Sequence, residues 1–298
     1  MKKHNQKLGV EKTELDSLLS LYSNGKYNEA LEKIQTINES YPGVPIIFNI
    51  AGACYKALGD IKASVKMFEN AVKLKPDYAE GYKNLGIAFR EIGSFDASVE
   101  SFLSAISIEP SYLEAHFCLA DTYFKLSKLE DAIEFYEKTI LLKPDFAEAH
   151  FNLGIILKDL GRLENAAECF KKTIAINPNL AEAHNNIGVV QKDIGNLNDA
   201  IISYDNAIKI NPRFLEAHNN LGILFNENSQ FTKARDSFSK VIELKPNYAE
   251  AHNNLGLVYM KLGQYLEAFN CYKNALVHNP NYAFSHNNLG TVLGVLGK

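Results

Sequence analysis

Towards the end of the chain the apolar positions run Leu255, Val258, Tyr259 and Leu262, the three-and-four spacing that lays one stripe along a helix. Gly263 follows, where a left-handed residue is wanted to close that helix. A second stripe then takes Tyr265, Ala268, Phe269, Tyr272, Ala275 and Leu276. Pro280 stops it, because proline has no N–H to donate and restricts the residue before it. The two stripes predict a helical hairpin over residues 249–282. No segment alternates between apolar and polar for long enough to make a strand, so the chain reads as all-α.

The hairpin recurs. Ala-Glu-Ala-His-Asn-Asn-Leu-Gly at Ala249–Gly256 stands almost unchanged at Ala181–Gly188 and Leu215–Gly222, with blurred copies from Ala79, Leu113, Ala147 and Ala283, all on a 34-residue register. Pro42, Pro76, Pro110, Pro144, Pro178, Pro212, Pro246 and Pro280 are each 34 residues apart, and Pro45 alone stands outside the series. Such a period predicts stacked copies of one small unit, each burying its apolar face on its neighbours. The expected organisation is a polar tail at 1–10, a degenerate first unit at 11–44, seven full units over 45–282, and the first helix of a ninth at 283–298. In the degenerate unit Leu18 replaces the glycine of later copies.

That glycine recurs inside the first helix as Gly52, Gly86, Gly154, Gly188, Gly222, Gly256 and Gly290. Mid-helix it costs about 1 kcal/mol against alanine, so its repetition demands a packing reason. The second helix offers Ala or Ser at a matching offset (Ala30, Ser64, Ser98, Ala132, Ala166, Ala200, Ala234, Ala268), which lets two backbones approach. Large knobs follow at Phe68, Phe102, Tyr136, Phe170, Tyr204, Phe238 and Tyr272. Gln191 stands where other units have Tyr55, Phe89, Tyr123 or Tyr259, and a packing weakness is expected there.

Composition adds exclusions. A formal net charge of −4 with scattered Lys and Arg gives no basic stripe, so nucleic acid is not an expected partner. No run of about 18 apolar residues is present, so no membrane span is expected. Cys54, Cys118, Cys169 and Cys271 have no ligand-like spacing and read as thiols of a reducing compartment, which places the chain in the cytoplasm.

The order large residue, Leu-Gly, aromatic, Ala, aromatic, Ala, Pro over 34 residues resembles the tetratricopeptide repeat across 11–298. The family's usual tryptophan is here Phe48, Tyr82 or histidine. The resemblance implies a right-handed α-solenoid, or superhelix, of helix-turn-helix repeats with a concave binding face.

Three columns of polar residues remain. His116, His150, His184, His218, His252 and His286 share one position. Packed helices about 10 Å apart cannot bring two of them to one metal ion, whose bonds to nitrogen are about 2 Å, so they are expected to pack at the hairpin seam. Glu80, Glu114, Glu148, Glu182, Glu216 and Glu250 sit three residues after Asp77, Ser111, Asp145, Asn179, Arg213 and Asn247, and all of these but Arg213 suggest a capping box. Asn84, Asn152, Asn186, Asn220, Asn254 and Asn288 recur before the Leu-Gly pair, interrupted by Cys118, and Asn185, Asn219, Asn253 and Asn287 double the row. Asparagine is a mediocre helix former, so a repeated asparagine invites a functional reading. The row resembles the asparagine ladder of O-linked N-acetylglucosamine transferase, which implies that these amides grip the backbone of an extended peptide.

The chain is therefore expected to be a scaffold for a protein or extended peptide, with no catalytic residues, cofactor or metal of its own. The alternative is the substrate-presenting arm of a larger glycosyltransferase or sulfotransferase, since the array also resembles those of bacterial fusions. Val292, Leu293, Val295 and Leu296, lacking a covering second helix, are expected to be exposed and to promote self-association.

Overall fold

The computed structural model describes residues 10–297. All its regular elements are helices: α1 (Lys12–Ser23), α2 (Tyr27–Ser40), α3 (Pro45–Ala57), α4 (Ile61–Leu74), α5 (Ala79–Glu91), α6 (Phe95–Ile108), α7 (Leu113–Lys125), α8 (Leu129–Leu142), α9 (Ala147–Asp159), α10 (Leu163–Ile176), α11 (Ala181–Ile194), α12 (Leu197–Ile210), α13 (Leu215–Glu227), α14 (Phe231–Leu244), α15 (Ala249–Lys261), α16 (Tyr265–His278) and α17 (Ala283–Val295). The fold is an all-α helical repeat solenoid. It divides within α9 into one unit ending at Ala149 and another beginning at His150. The polar tail lies outside the described residues except for Val10.

The turn inside each hairpin is closed by one left-handed residue. Gly25, Gly59, Gly93, Gly161, Gly195, Gly263 and Gly297 take φ between 69° and 93°, and Ser127 and Ser229 take the same conformation at 57° and 58°. In the first unit the second helix of each hairpin packs on the next first helix (α2 on α3, α4 on α5, α6 on α7), and successive first helices also touch. The second unit repeats this from α10 to α17, with α11, α13, α15 and α17 touching in turn. Among the described residues, second helices do not pack closely on the next second helix. Within each unit, therefore, first helices line the inner face and second helices the outer one.

The glycine column is explained by the knobs. A Cβ on Gly52, Gly86, Gly154, Gly188, Gly222 or Gly256 would lie 2.5–2.8 Å from the ring of Phe68, Phe102, Phe170, Tyr204, Phe238 or Tyr272 respectively. These rings are essentially fully buried. The small residue opposite works as expected: Ser98 Oγ donates to the Gly86 carbonyl across 2.8 Å. In α1 the column carries Leu18, fully buried, and α2 answers with Ile34 where later second helices have a ring. The larger side chain has moved from one helix to the other.

Two expectations fail. The capping boxes do not form: α5, α7, α11, α13 and α15 begin after Tyr78, Tyr112, Leu180, Phe214 and Tyr248, and none of these starts has a side-chain cap hydrogen bond. The chain enters each helix one residue later than a box with Asp77 or Asn247 needs. The glutamates still occupy the first turn, where carboxylates suit the helix dipole. Gln191 is not a weak point, because its Oε1 accepts a 2.6 Å hydrogen bond from the buried Ser203 hydroxyl. A polar pair replaces the aromatic contact.

Candidate inner-face peptide site

The histidine column ties each turn to the next first helix. The Nε2 atoms of His116, His184, His218, His252 and His286 lie 2.8–3.1 Å from the carbonyl oxygens of Pro110, Pro178, Pro212, Pro246 and Pro280. A carbonyl only accepts, so Nε2 carries the proton in every case. His150 is buried at the same position. Among the described residues no group of three His, Cys, Asp or Glu side chains gathers as a metal site.

The two asparagine columns interlock. Asn220 Nδ2 donates to Asn185 Oδ1, Asn288 to Asn253, and Asn84 to Asn49, each at 3.0 Å. Every bridge joins one first helix to the first helix before it. Asn49, which the sequence reading missed, could have been found because it stands in the same repeat column as Asn185. Asn185, Asn219 and Asn253 are 8%, 9% and 4% exposed, so they cannot also face a ligand. Their expected role as a second binding row is corrected: Asn185 and Asn253 are buried acceptors and Asn219 is buried beside them, while Asn287 is exposed.

The first row is half-exposed at Asn84, Asn152, Asn186, Asn220, Asn254 and Asn288. Only one member lies in the first unit; the other five are in the second. Asn186 follows Phe151, which offers no acceptor, and its Nδ2 turns to the Glu182 carbonyl at 2.9 Å. Asn254 makes no bridge among the described residues, and the Asn219 oxygen is buried without a hydrogen-bond partner. Cys118 interrupts the row half-buried, its thiol raised chiefly by burial and lowered by Arg90. Burial pushes Cys54 and Cys271 to about 11, so neither is a thiolate at neutral pH.

Around the rows, cations on the inner face are largely paired. Lys56 meets Glu91 at 2.9 Å, Arg90 meets Asp121 at 3.5 Å, and Lys192 meets Glu227 at 3.2 Å. The phenol of Tyr248 donates to Glu250 at 2.9 Å, and burial together with that carboxylate pushes Tyr248 up to about 12.

At the C-terminal end, Val295 is 53% and Phe284 70% exposed, but Val292 is fully buried against Ala268 and Tyr272. The expected exposure of Val292 is thus corrected: it is buried in a cluster with Ala268 and Tyr272 of α16, against which Tyr259 and Met260 of α15 also pack. No described helix is long and apolar enough to cross a membrane.

Helical hairpins of fixed length, closed by a left-handed residue and stacked through a Gly–aromatic seam, define a repeat array. Models described as "TPR repeat" match residues 86–127, 120–161 and 224–263, and models described as "Tetratricopeptide repeat" match 46–78, 147–180, 181–214, 203–236 and 249–282. Together they span well over half the chain, which belongs to the tetratricopeptide repeat family. Similar solved structures include YrrB, described as a TPR protein with an unusual peptide-binding site, at 21% identity over 63% of this chain and 97% of that one, TM-score 0.56. MamA matches at 26% identity over 57% and 93%, TM-score 0.54. PilF of Pseudomonas aeruginosa matches at 16% identity over 72% and 97%, TM-score 0.60. No curated protein matches the chain.

Proposed function

We propose that the chain is a protein-interaction scaffold and that the inner face of its second unit holds an extended peptide through Asn152, Asn186, Asn220, Asn254 and Asn288. Asn84 offers the same group in the first unit. The observation that carries this reading is the bridge. In Asn220 and Asn288 one N–H is spent on the preceding helix, which fixes the amide and leaves its oxygen to accept from a backbone N–H. Packed helices are about 10 Å apart, and a polyproline-like chain with three residues per turn advances about 9 Å per turn. One turn per unit therefore brings an equivalent backbone group to each asparagine. YrrB, which shares the fold, is described as having a peptide-binding site of its own.

The bridge also decides the test. Replacing Asn220 by alanine strands the buried Asn185 oxygen, so lost binding would be mixed with lost stability. Asn186 and Asn254 carry no bridge, and the variant Asn186→Ala/Asn254→Ala is the cleaner choice. Calorimetry against a peptide selected from an extended-peptide library is expected to show a loss of about 1–3 kcal/mol for two hydrogen bonds. The melting temperature should hold or rise, since alanine is the better helix former. Unchanged affinity would reject the asparagine row as the binding element.

A further inference from the structure

In the first unit, α1, α3 and α5 enclose a recess of about 320 Å³ whose wall includes Leu19, Tyr22, Ala53, Lys83, Asn84 and Ile87. That volume is at the small end of ligand sites and fits a side chain rather than a whole molecule. The recess has a cause in the sequence. Ala53 stands in a repeat column filled elsewhere by Ile87, Asp121, Ile155, Val189, Ile223 and Leu257. It is the one small residue of that column in the full units, and the space its missing side chain leaves faces Leu19, which is 42% exposed.

The charged residues on the wall are Lys56, Glu80 and Lys83. Lys56 is paired with Glu91 at 2.9 Å, and Glu80 accepts from the Tyr78 phenol. Lys83 has no ion pair among the described residues, which leaves its ammonium available at the edge of a recess whose apolar lining is Leu19, Tyr22, Ile50, Ala53, Phe68 and Ile87. The Asn84–Asn49 bridge passes along the same wall, which puts an anchored amide beside both features.

We propose that this recess is a specificity pocket that takes one large apolar side chain of a bound peptide while Lys83 pairs with a carboxylate next to it. The proposal rests on the reading that first-helix faces hold peptide, and it adds what the peptide must carry. A purely backbone-directed row tolerates many sequences; the recess supplies the selection.

The test uses the full chain and amidated, fluorescein-labelled nonapeptides of Gly and Ser with a central Phe, Leu or Ala followed by Glu, Gln or Lys. Fluorescence anisotropy should show the Phe-Glu and Leu-Glu peptides binding at least tenfold tighter than Ala-Glu, and at least threefold tighter than Phe-Lys or Leu-Lys. Ala53→Leu, which fills the recess, should erase the preference for Phe and Leu, with the thermal melt followed by circular dichroism alongside. Should that variant fold poorly, Ile87→Ala enlarges the recess and should move the preference towards Trp. Lys83→Gln should erase only the preference for Glu. Peptides with a free C-terminus in place of the Glu side chain tell which carboxylate Lys83 accepts, and tight binding of either kind supports the pocket. A Phe preference that survives Ala53→Leu, or no binding of Phe-Glu at millimolar concentration, overturns it. Measuring Asn186→Ala/Asn254→Ala in parallel separates the two ideas. Loss of affinity there with Ala53→Leu unaffected keeps the asparagine row and rejects the recess; loss with Ala53→Leu alone keeps the recess, and the row is then decided by the library peptide.

Discussion

Asn220 gives one amide N–H to the buried oxygen of Asn185, 3.0 Å away on the preceding first helix. The pair turns two mediocre helix residues into a cross-link between units. Asn220→Ala should destabilise the fold by about 1–3 kcal/mol, because Asn185 then holds a buried acceptor with no donor. Asn254→Ala, without a bridge, should cost nothing or stabilise by a few tenths of a kcal/mol. Urea denaturation of the two variants checks the contrast; equal effects would show that the bridge contributes nothing.

Gly222 and Gly290 share a repeat position and should answer the same mutation with opposite signs. A Cβ at Gly222 would lie 2.8 Å from the Phe238 ring, whereas nothing lies within 4 Å at Gly290. Gly222→Ala is expected to destabilise by about 1–3 kcal/mol through overpacking. Gly290→Ala should gain up to about 1 kcal/mol of helix propensity. Local stability is best read by hydrogen exchange in α13 and α17, and a loss at both sites would mean that the ring contact is not the reason for the glycine.

Ser127 and Ser229 hold φ of 57° and 58° where other units use glycine. A left-handed L-residue costs about 1–2 kcal/mol, so Ser127→Gly and Ser229→Gly should each stabilise by about 1 kcal/mol after glycine's own entropy is discounted. Both serines are exposed, so no packing is lost. A melting temperature that falls in either variant contradicts the strain argument.

Alkaline pH should weaken the fold. Burial raises Cys54 and Cys271 from 9.0 to about 11, and Tyr272 from 10.0 to about 12. Above pH 9 the unfolded chain gives up protons that the native chain keeps, so the free energy of unfolding falls as pH rises. Stability should be level with respect to these groups below pH 9 and decline between pH 9 and 12. Cys271→Ser, a residue this column already uses at Ser101, Ser203 and Ser237, should reduce the slope near pH 9–11. A melting temperature independent of pH across that window would exclude the effect.

The hairpins and their packing were legible because each is enforced by a backbone property: the missing N–H of proline, the left-handed residue, the glycine beneath a ring. What could not be read was the direction of side chains with two uses. Asn219 and Asn220 are neighbours of one type, yet one is buried and the other half-exposed, since residues one apart on a helix point about 100° apart. The capping boxes failed for a similar reason. Spacing is measured in residues, and a helix that begins one residue later, after Tyr78 and not Asp77, moves every cap donor out of reach. Gln191 looked like a defect until Ser203, on the other helix of its hairpin, supplied the missing partner.

First helices touching one another while second helices stand apart has a mechanical consequence. In a bent beam, lengths change most on the outer surface and least along one inner line. Within each unit that line runs through the first helices, which carry the Asn185–Asn220 and Asn253–Asn288 cross-links of the second unit. Flexing opens or closes the wedges between second helices and leaves the asparagine spacing nearly constant. The inner face of each unit thus behaves as a ruler of fixed pitch beside a compliant outer layer, whose wedges can open and close without stretching the row.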